Sequence, residues 1–363
     1  DNPNECPAKS EVGQVTIKSG ELGEVPGKLY LGWAQKRSEQ EGGGILMRVW
    51  LEAGTPWGAK AEDTKFRLKA WGEITVDPSG QIRASFKDVE PLPWRQMSMN
   101  FVTGAGKSVL VNPPDCDPGN NVTTAALRPW TTVGLNESGT MFPTSQVRPE
   151  WDKKFGTGGV CPATRPFEPK IQTTLSSHGK GVPTEMELNI ERGKYEDSIK
   201  GMRLHLADGM FPSVPATLCT MDQVKDQKCN RRVGSVSTQV GFGDDLTTIK
   251  GESYLVEPVG ANAARIVTAL KAKVGPIDLG YEYVSMNVHV DQVLPVFKVS
   301  INADQLPTRV NGIDAPIRQM TFKIDDPSSL TTPPDCGDWN FRADFTGTRG
   351  TTSSSTSTVK GCS

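Results

Sequence analysis

The sequence predicts an all-β protein made of tandem, disulfide-stapled modules of the β-sandwich or barrel type, with an internal duplication. Three observations lead to this prediction: apolar residues alternate with polar ones, turn residues separate these runs, and short motifs recur in the same order along the 363 residues. Alternation with a period of two is the pattern of a strand with one buried face. Many short strands joined by Gly- and Pro-bearing turns are typical of sandwiches and barrels.

Strands are predicted wherever the alternation is clear. The clearest segments are 45–51, 66–71, 186–190 and 286–290. A turn with the sequence Asp77-Pro78-Ser79-Gly80 stands between two further β-rich runs. Proline presets φ at the second turn position and glycine accepts a positive φ, so this turn predicts a β-hairpin.

Two segments are ambiguous when they are read alone. Residues 261–273 have helical propensity, but their counterpart 45–51 in the first repeat alternates, which favours a strand. The Thr/Ser tract 351–358 resembles a linker in composition. Because this tract leads back to Cys362, we expect an edge strand or a loop held inside a disulfide.

The duplication is predicted from motifs that occur twice in the same order. The matched pairs are Val12-Gly13 and Val233-Gly234, Tyr30-Leu31 and Tyr254-Leu255, Arg95-Gln96-Met97 and Arg318-Gln319-Met320, and Pro113-Pro114-Asp115-Cys116 and Pro333-Pro334-Asp335-Cys336. Repeated motifs at similar spacing indicate repeated structural units. The predicted organisation is therefore a first β repeat unit (1–163), a β bridge module (164–228) and a second β repeat unit (229–363).

The seven cysteines favour disulfides over a metal site. None lies in a CxxC motif, and the three histidines (His178, His205 and His289) are far apart in the sequence. Tetrahedral zinc sites need closely spaced pairs of ligands. Disulfides instead place the chain in an oxidising compartment, so it is expected to be secreted or at the cell surface.

The repeat suggests how the cysteines pair, because equivalent cysteines should have equivalent roles. The predicted disulfides are Cys116–Cys161, Cys336–Cys362 and Cys219–Cys229. Cys6 is left over, and we expect its partner in an upstream repeat of a longer chain or in a neighbouring subunit. A free thiol and a different connectivity both stay open, since pairing cannot be fixed from sequence alone.

Composition argues against several classes of partner. The formal net charge is only −2, so no nucleic-acid binding is expected. No run of 18 apolar residues is present, so no membrane insertion is expected. No signal peptide is visible, so a secreted chain would have been processed or cut from a longer one.

Most of the chain resembles very large, uncharacterised secreted and cell-surface β-repeat proteins of Gram-positive, actinobacterial-type bacteria, on the basis of short motifs. The resemblance rests on motifs spread over the second repeat and the bridge: Cys229, Val233-Gly234, Tyr254, residues 316–320, Asp335-Cys336, Phe167-Glu168-Pro169-Lys170 and Leu218-Cys219-Thr220. It implies a repetitive β architecture at the cell surface. It implies no catalytic activity and no binding residues.

No catalytic, cofactor or metal site is predicted. The segment Gly104-Ala105-Gly106-Lys107-Ser108 ends like a phosphate-binding loop but has Phe101 where that loop requires glycine. The pairs Asp244-Asp245 and Asp325-Asp326 lack the spaced acidic ligands of a calcium loop. The histidines have no triad context. We therefore expect no enzyme, although a glycosidase-type carboxylate pair has no sequence signature and stays open.

Tryptophans are concentrated in the first repeat. They are Trp33, Trp50, Trp57, Trp71, Trp94, Trp130 and Trp151, whereas the second repeat contains only Trp339. Trp57 and Trp130 each follow a proline and are predicted to lie on a loop surface that binds a ligand or another subunit. Trp50 and Trp71 fall in predicted strands and are assigned to the core.

The sequence thus favours an extracellular structural repeat protein, such as a stalk, a filament subunit or a section of a surface fibre. Its expected partners are further copies of itself or neighbouring modules of the same chain. The alternative is a surface adhesin or carbohydrate-binding protein that uses the first-repeat tryptophans, with a glycan as its partner.

Overall fold

The computed structural model confirms the all-β class. It describes residues 8–54, 67–77, 80–87, 89, 94–102, 123–125, 145–147, 154–155, 159–160, 166–194, 196–241, 246–274, 277–293 and 296–362. Within these ranges strands predominate, and the one α-helix, α1 (Met221–Lys225), is little more than a turn. Short 3-10 turns cover Ala8–Ser10, Glu39–Glu41 and Pro327–Ser329. No helix in this described part is long and apolar enough to cross a membrane.

The chain divides into two compact units, 1–164 and 165–363. A six-stranded antiparallel sheet organises the first unit, in the order β5-β4-β3-β2-β1-β6. Its strands are β1 (Glu11–Ser19), β2 (Gly23–Lys36), β3 (Ile45–Gly54), β4 (Arg67–Val76), β5 (Ile82–Phe86) and β6 (Trp94–Phe101). Two short pairs follow: β7 (Thr123–Ala125) with β8 (Ser145–Val147), and β9 (Lys154–Phe155) with β10 (Gly159–Val160).

One face of the six-stranded sheet is buried, as the alternation predicts. Val15, Leu29, Leu51 and Leu68 are each at most 2% exposed and belong to one apolar cluster. Burying such a side chain completely contributes roughly 1.5–3 kcal/mol. The predicted hairpin is present: β4 pairs with β5, and the Gly80 N–H donates to the Asp77 carbonyl at 2.9 Å.

The second unit is an eleven-stranded sheet that curls into a nearly closed barrel. The strand order is β11-β12-β22-β15-β16-β17-β18-β19-β13-β24-β25. These strands are β11 (Lys170–Leu175), β12 (Met186–Glu191), β13 (Ile199–His205), β15 (Arg232–Val240), β16 (Thr247–Val256), β17 (Ala264–Val274), β18 (Ile277–Val293), β19 (Val296–Ala303), β22 (Ile317–Ile324), β24 (Gly337–Gly347) and β25 (Thr352–Gly361). Short pairs join β14 (Phe211–Pro212) to β23 (Leu330–Thr331) and β20 (Arg309–Val310) to β21 (Ile313–Asp314).

The two ambiguous segments are both strands. Residues 261–273 fall largely in β17, and the Thr/Ser tract 351–358 lies in β25, which pairs along its length with β24. β11 and β25 are the first and last strands of the sheet order, and they lie next to each other in the barrel. The Ser355 and Ser357 hydroxyls accept hydrogen bonds from the backbone N–H groups of Ile171 and Thr173, at 3.1 and 2.8 Å. Side chains, rather than a backbone ladder, thus connect the first and last strands of the barrel.

Strands from the predicted bridge and from the second repeat are interleaved in this barrel. β12 lies beside β22, and β13 lies between β19 and β24. Residues 164–228 and 229–363 therefore share a single sheet. The buried side chains Leu188, Leu204, Phe341 and Phe345, each at most 1% exposed, form part of its core.

Six strands of the barrel repeat the arrangement of the first unit. The order β22-β15-β16-β17-β18-β19 corresponds to β6-β1-β2-β3-β4-β5. The registers also correspond, with matched pairs Glu11↔Tyr30 and Arg232↔Tyr254, Gly13↔Phe101 and Gly234↔Ile324, Val15↔Gly27 and Val236↔Gly251, and Ser19↔Trp94 and Val240↔Ile317. The register shifts also correspond: one lies near the start of β1 and of β15, and another near the end of each strand.

The matched glycines have a common physical cause. A Cβ on Gly13 would lie 2.6 Å from the Asn100 carbonyl oxygen, and a Cβ on Gly234 would collide with the Lys323 carbonyl oxygen. In both units the backbone of the neighbouring strand approaches too closely for a side chain at this point. The repeated Val-Gly motif therefore marks the same close approach of two strands.

Candidate functional site

The first unit carries an exposed group of tryptophans on its sheet, which we call the tryptophan surface: Trp33, Trp50 and Trp71. Trp33 is 91% exposed. Leu31 pairs with Val49 and Ala34 with Met47, so Gly32 and Trp33 together oppose the single residue Arg48. This two-against-one arrangement is a β-bulge, which redirects side chains out of the normal alternation.

Trp50 and Trp71 are cross-strand neighbours. Trp50 pairs with Tyr30 on one side and with Trp71 on the other, which places three aromatic residues in one row across β2, β3 and β4. The Trp50 and Trp71 ring centroids are 6.3 Å apart, and the rings are tilted by 40°. Aromatic pairs at this separation contribute about 0.5–1.5 kcal/mol beyond their area burial.

Two cations lie over these rings. The Arg48 guanidinium is 5.1 Å from the centre of the Trp71 ring, and the Lys69 ammonium is 5.0 Å from the centre of the Trp50 ring. A cation over an exposed indole contributes about 0.5–1 kcal/mol. The cations bring hydrogen-bond donors next to an apolar surface.

The assignment of Trp50 and Trp71 to the core is wrong. Trp71 is 44% exposed and Trp50 is half-buried, whereas their strand neighbours Val49, Leu51 and Leu68 are buried. Both tryptophans lie on the face of the sheet opposite the apolar cluster. Both residues do lie in strands, as predicted, but a strand has two faces, and the alternation with buried residues places them on the outer one.

In the second unit the equivalent row is partly covered: Val267 is buried, Tyr254 is half-buried and Ser285 is exposed. Its residues are Tyr254, Val267 and Ser285, which pair across β16, β17 and β18. Val267 is fully buried and packs in one cluster with Val224 of α1 and with Cys219, which is bonded to Cys229. A helical turn and a disulfide thus cover part of the face that corresponds to the tryptophan surface.

The predicted disulfides of the second unit are present. Cys219 bonds to Cys229 and Cys336 bonds to Cys362, with Cα–Cα separations of 5.7 and 5.2 Å. Closing loops of these lengths stabilises a fold by roughly 3 kcal/mol in the chain-entropy account. The predicted pair Cys116–Cys161, the leftover Cys6 and the surface residues Trp57 and Trp130 lie outside the described residues.

The barrel interior is packed rather than open. An apolar cavity inside the second unit has a volume of about 40 Å³ and is lined by residues such as Leu188, Leu204 and Phe322. A water molecule occupies about 30 Å³ in the liquid, whereas drug-sized ligands need several hundred. Apolar side chains therefore fill most of the space around this cavity.

The acidic pair Asp325-Asp326 is used within the fold. Asp325 accepts two hydrogen bonds from the Arg232 guanidinium, at 2.5 and 2.9 Å, and Arg232 also contacts Glu252. Hydrogen bonds to Asp325 and then to Glu252 raise the pKa of Arg232 above its ordinary value. Asp326 caps the 3-10 turn Pro327–Ser329 through the Ser328 N–H at 3.0 Å. These contacts explain both carboxylates without a bound ion.

The histidines occupy separate positions. His178 Nδ1 lies 2.7 Å from the Lys360 carbonyl, His205 lies 3.1 Å from Asp344, and His289 lies 3.0 Å from Asp291. Among the described residues, no three His, Cys, Asp or Glu side chains come together in a way that could hold a metal ion.

Comparisons with known proteins return no relative: no protein-family model, no curated protein and no solved structure matches this chain.

Proposed function

We propose that the chain is an extracellular, non-enzymatic structural protein built from two copies of one β module, serving as a stalk, a filament subunit or a section of a surface fibre. The repeated strand order of the six-stranded sheet carries this proposal. Order, register and both register shifts are matched between β1–β6 and the corresponding strands of the barrel. Duplicated modules that lie in series lengthen a protein without a new fold.

The covalent bonds of the second unit support the proposed location. Two disulfides lie within the described residues, and disulfides persist mainly in oxidising compartments. They are consistent with an extracellular protein. A surface protein exposed to proteases also gains from such bonds, because they restrict local opening of the chain.

Electron microscopy of the purified full chain tests the structural role. At high protein concentration we expect rods or fibres, with a periodic repeat along their length. Analytical ultracentrifugation over the same concentrations should show species larger than the 39.3 kDa chain. Compact monomers at every concentration would count against this function.

A second function, carbohydrate binding, is favoured by the tryptophan surface. Trp33 is almost fully exposed, and Trp71 is 44% exposed beside Arg48. Exposed aromatic side chains next to charged hydrogen-bond donors suit a sugar, whose ring has apolar faces and polar edges. In this proposal the first unit binds a surface glycan, and the second unit, which has Val267 and Ser285 in place of Trp50 and Trp71, does not.

Glycan-array binding of the full chain tests this second function. Because anchoring aromatic residues often contribute 2 kcal/mol or more, we expect Trp33→Ala and Trp71→Ala each to weaken binding at least about tenfold. Val259→Ala, which changes an exposed apolar residue of the second unit, is the matched control. Trp57→Ala and Trp130→Ala test the loop positions predicted from sequence. Unchanged binding in all four tryptophan variants, or no binding by the parent chain, would exclude a tryptophan-based glycan site.

A further inference from the structure

Strand β6 presents an edge of the first unit's sheet. Among the strands that the structure describes, it pairs with β1 alone. The Val102 N–H donates to the Val12 carbonyl at 2.9 Å, so the backbone of residue 102 points towards β1. Successive residues of an antiparallel strand point their backbone groups in opposite directions. The N–H and C=O groups of Met97, Met99 and Phe101 therefore point to the other side, where they can pair with a further strand.

The side chains of the same residues form an apolar row, in which Met97 packs against the core and the other two are exposed. Met99 is 38% exposed and Phe101 is 36% exposed. Their register equivalents in the barrel, Phe322 and Ile324, are only 4% and 6% exposed. The difference arises because β12 pairs with β22 in the barrel and places Leu188 opposite Phe322. The barrel thus demonstrates that a strand on this edge buries this row.

The edge of β6 and the corresponding edge of β22 differ in charge, and this difference indicates which strand fits β6. In the barrel, Lys323 of β22 forms an ion pair with Glu187 of β12 at 2.6 Å. The residue of β6 that corresponds to Lys323 is Asn100, and the other outward residues of β6 from position 96 onwards are Gln96 and Ser98. A strand carrying the glutamates of β12 would find the uncharged residues Asn100 and Gln96 at the corresponding positions of β6, and no cation there.

A second β6 meets no such mismatch. From position 96 onwards its outward residues are uncharged, so no like charges oppose each other there, and its inward residues are apolar. Edge strands are usually protected by charged residues or proline, and residues 96–101 contain neither. The edge is therefore self-complementary, as a two-fold interface between identical subunits requires.

We propose that β6 of one chain pairs antiparallel with β6 of a second copy, with Met99 on the two-fold axis. This register places Met97 opposite the partner's Phe101 and Ser98 opposite the partner's Asn100. It brings three apolar pairs together on one face and joins two six-stranded sheets into a continuous one. The biological use of this dimer rests on the proposed structural role, in which copies of the chain associate.

Analytical ultracentrifugation of the full chain tests the pairing. All samples carry Cys6→Ser, which removes any covalent dimer formed through that cysteine. We expect the parent to shift from monomer to dimer as its concentration rises, and Met99→Lys to weaken this association at least tenfold. Val259→Lys, which adds the same charge at an exposed apolar residue of the second unit, should associate like the parent. Circular dichroism checks that Met99→Lys keeps its strand content, as expected for a half-exposed residue.

A cysteine at the two-fold axis tests the register. Directly opposed residues that exchange both hydrogen bonds have Cα atoms about 5.5 Å apart, within disulfide range. Met99→Cys should therefore form a disulfide-linked dimer on mild oxidation, with residue 99 joined to the partner's residue 99, whereas Val259→Cys should not.

Three results would overturn the proposal: a parent that stays monomeric at all concentrations, a Met99→Lys variant that dimerises as well as the parent, or a crosslink that maps elsewhere. Rods that persist in Met99→Lys would reject β6 pairing and leave the structural function standing. A β6 dimer that never extends into rods would support β6 pairing and count against the structural function.

Discussion

At the scale of single residues, Asp197 shows how a buried charge can hold a fold together. Asp197 is only 1% exposed, and its carboxylate accepts four hydrogen bonds. The donors are the Thr348 and Thr351 hydroxyls, at 2.6 and 2.9 Å, and the backbone N–H groups of Ser198 and Arg349. One carboxylate thereby joins the start of β13 to the turn between β24 and β25.

The pKa of Asp197 gives this contact a pH dependence. Burial raises the pKa, but the hydrogen bonds from Thr348, the Arg349 N–H and Thr351 outweigh burial and lower it below the ordinary value. A folded pKa below the unfolded one means that the ionised form stabilises the fold. This stabilisation is complete above the unfolded pKa, about 3.9, and is lost as the pH falls through the folded pKa.

Asp197→Asn should lower the free energy of unfolding by about 1–3 kcal/mol at neutral pH, because a charged acceptor is replaced and one amide hydrogen faces the donors. The difference from the parent should shrink below about pH 4. Urea denaturation at several pH values measures both effects. Asp208→Asn, at an exposed ion pair with Lys298, should change little. A difference between Asp197→Asn and the parent that stays constant with pH would contradict this account.

Single residues were also where sequence reasoning failed most clearly. Their position in predicted strands assigns Trp50 and Trp71 to the core, but the buried residues Val49, Leu51 and Leu68 of the same strands face the other way. Trp33 could not be placed at all, because a β-bulge changes the alternation and no residue type announces one. Asp197 gave no signal, since its partners lie about 150 residues away in the sequence.

At the scale of elements, strand β25 connects the end of the barrel to its beginning. It is built almost wholly of serine and threonine, with Ser355 and Ser357 half-buried and Ser354 exposed. The half-buried hydroxyls accept from β11 backbone N–H groups. Short hydroxyl side chains suit this position, because they bridge the gap between two strands that do not share a ladder.

The double variant Ser355→Ala/Ser357→Ala should lower the free energy of unfolding by about 2–5 kcal/mol. It leaves two backbone N–H groups without an acceptor, and each such group costs about 1–3 kcal/mol when it is buried. Hydrogen exchange should become faster at the amides of Ile171 and Thr173 in particular. Ser354→Ala is the control and should leave both quantities unchanged. Equal exchange rates in the double variant and the control would mean that the hydroxyls do not join the strands.

Elements were largely predictable because each strand carries its own local pattern. The alternating segments correspond to β3, β4, β12 and β18, and the Asp77–Gly80 turn joins β4 to β5. Partners of distant strands were not predictable in the same way. The contact of β12 with β22 and of β13 with β24 brings bridge residues into the second repeat, and no local pattern encodes such pairings.

At the scale of the whole molecule, the state of Cys6 bears on whether copies of the chain are joined covalently. The described part of the chain contains two disulfides, Cys219–Cys229 and Cys336–Cys362. Cys6 corresponds to Cys229 in the repeat, as each precedes a Val-Gly motif. Its counterpart bonds to a cysteine ten residues earlier in the chain.

Intact mass after thiol alkylation, with and without reduction, should reveal the state of Cys6. We expect six of the seven cysteines to be protected on a monomer, with one alkylated thiol, or else disulfide-linked multimers that separate on reduction. The Cys6→Ser variant should lose the label or the multimers, whichever the parent shows. Seven alkylated thiols before reduction would contradict the extracellular assignment.

The contact between β25 and β11 has a mechanical consequence. The bonds run from Ile171 to Ser355 and from Thr173 to Ser357, so the two strands point the same way. Tension that pulls β11 by its start and β25 by its end loads this contact in shear, in which both bonds must yield together instead of unzipping in turn. The Cys336–Cys362 bond also closes a loop of 26 residues. Under load this loop, about 90 Å long when fully extended, cannot open while the disulfide is intact. A fibre made of such units would resist stretching and would lengthen further only after chemical reduction.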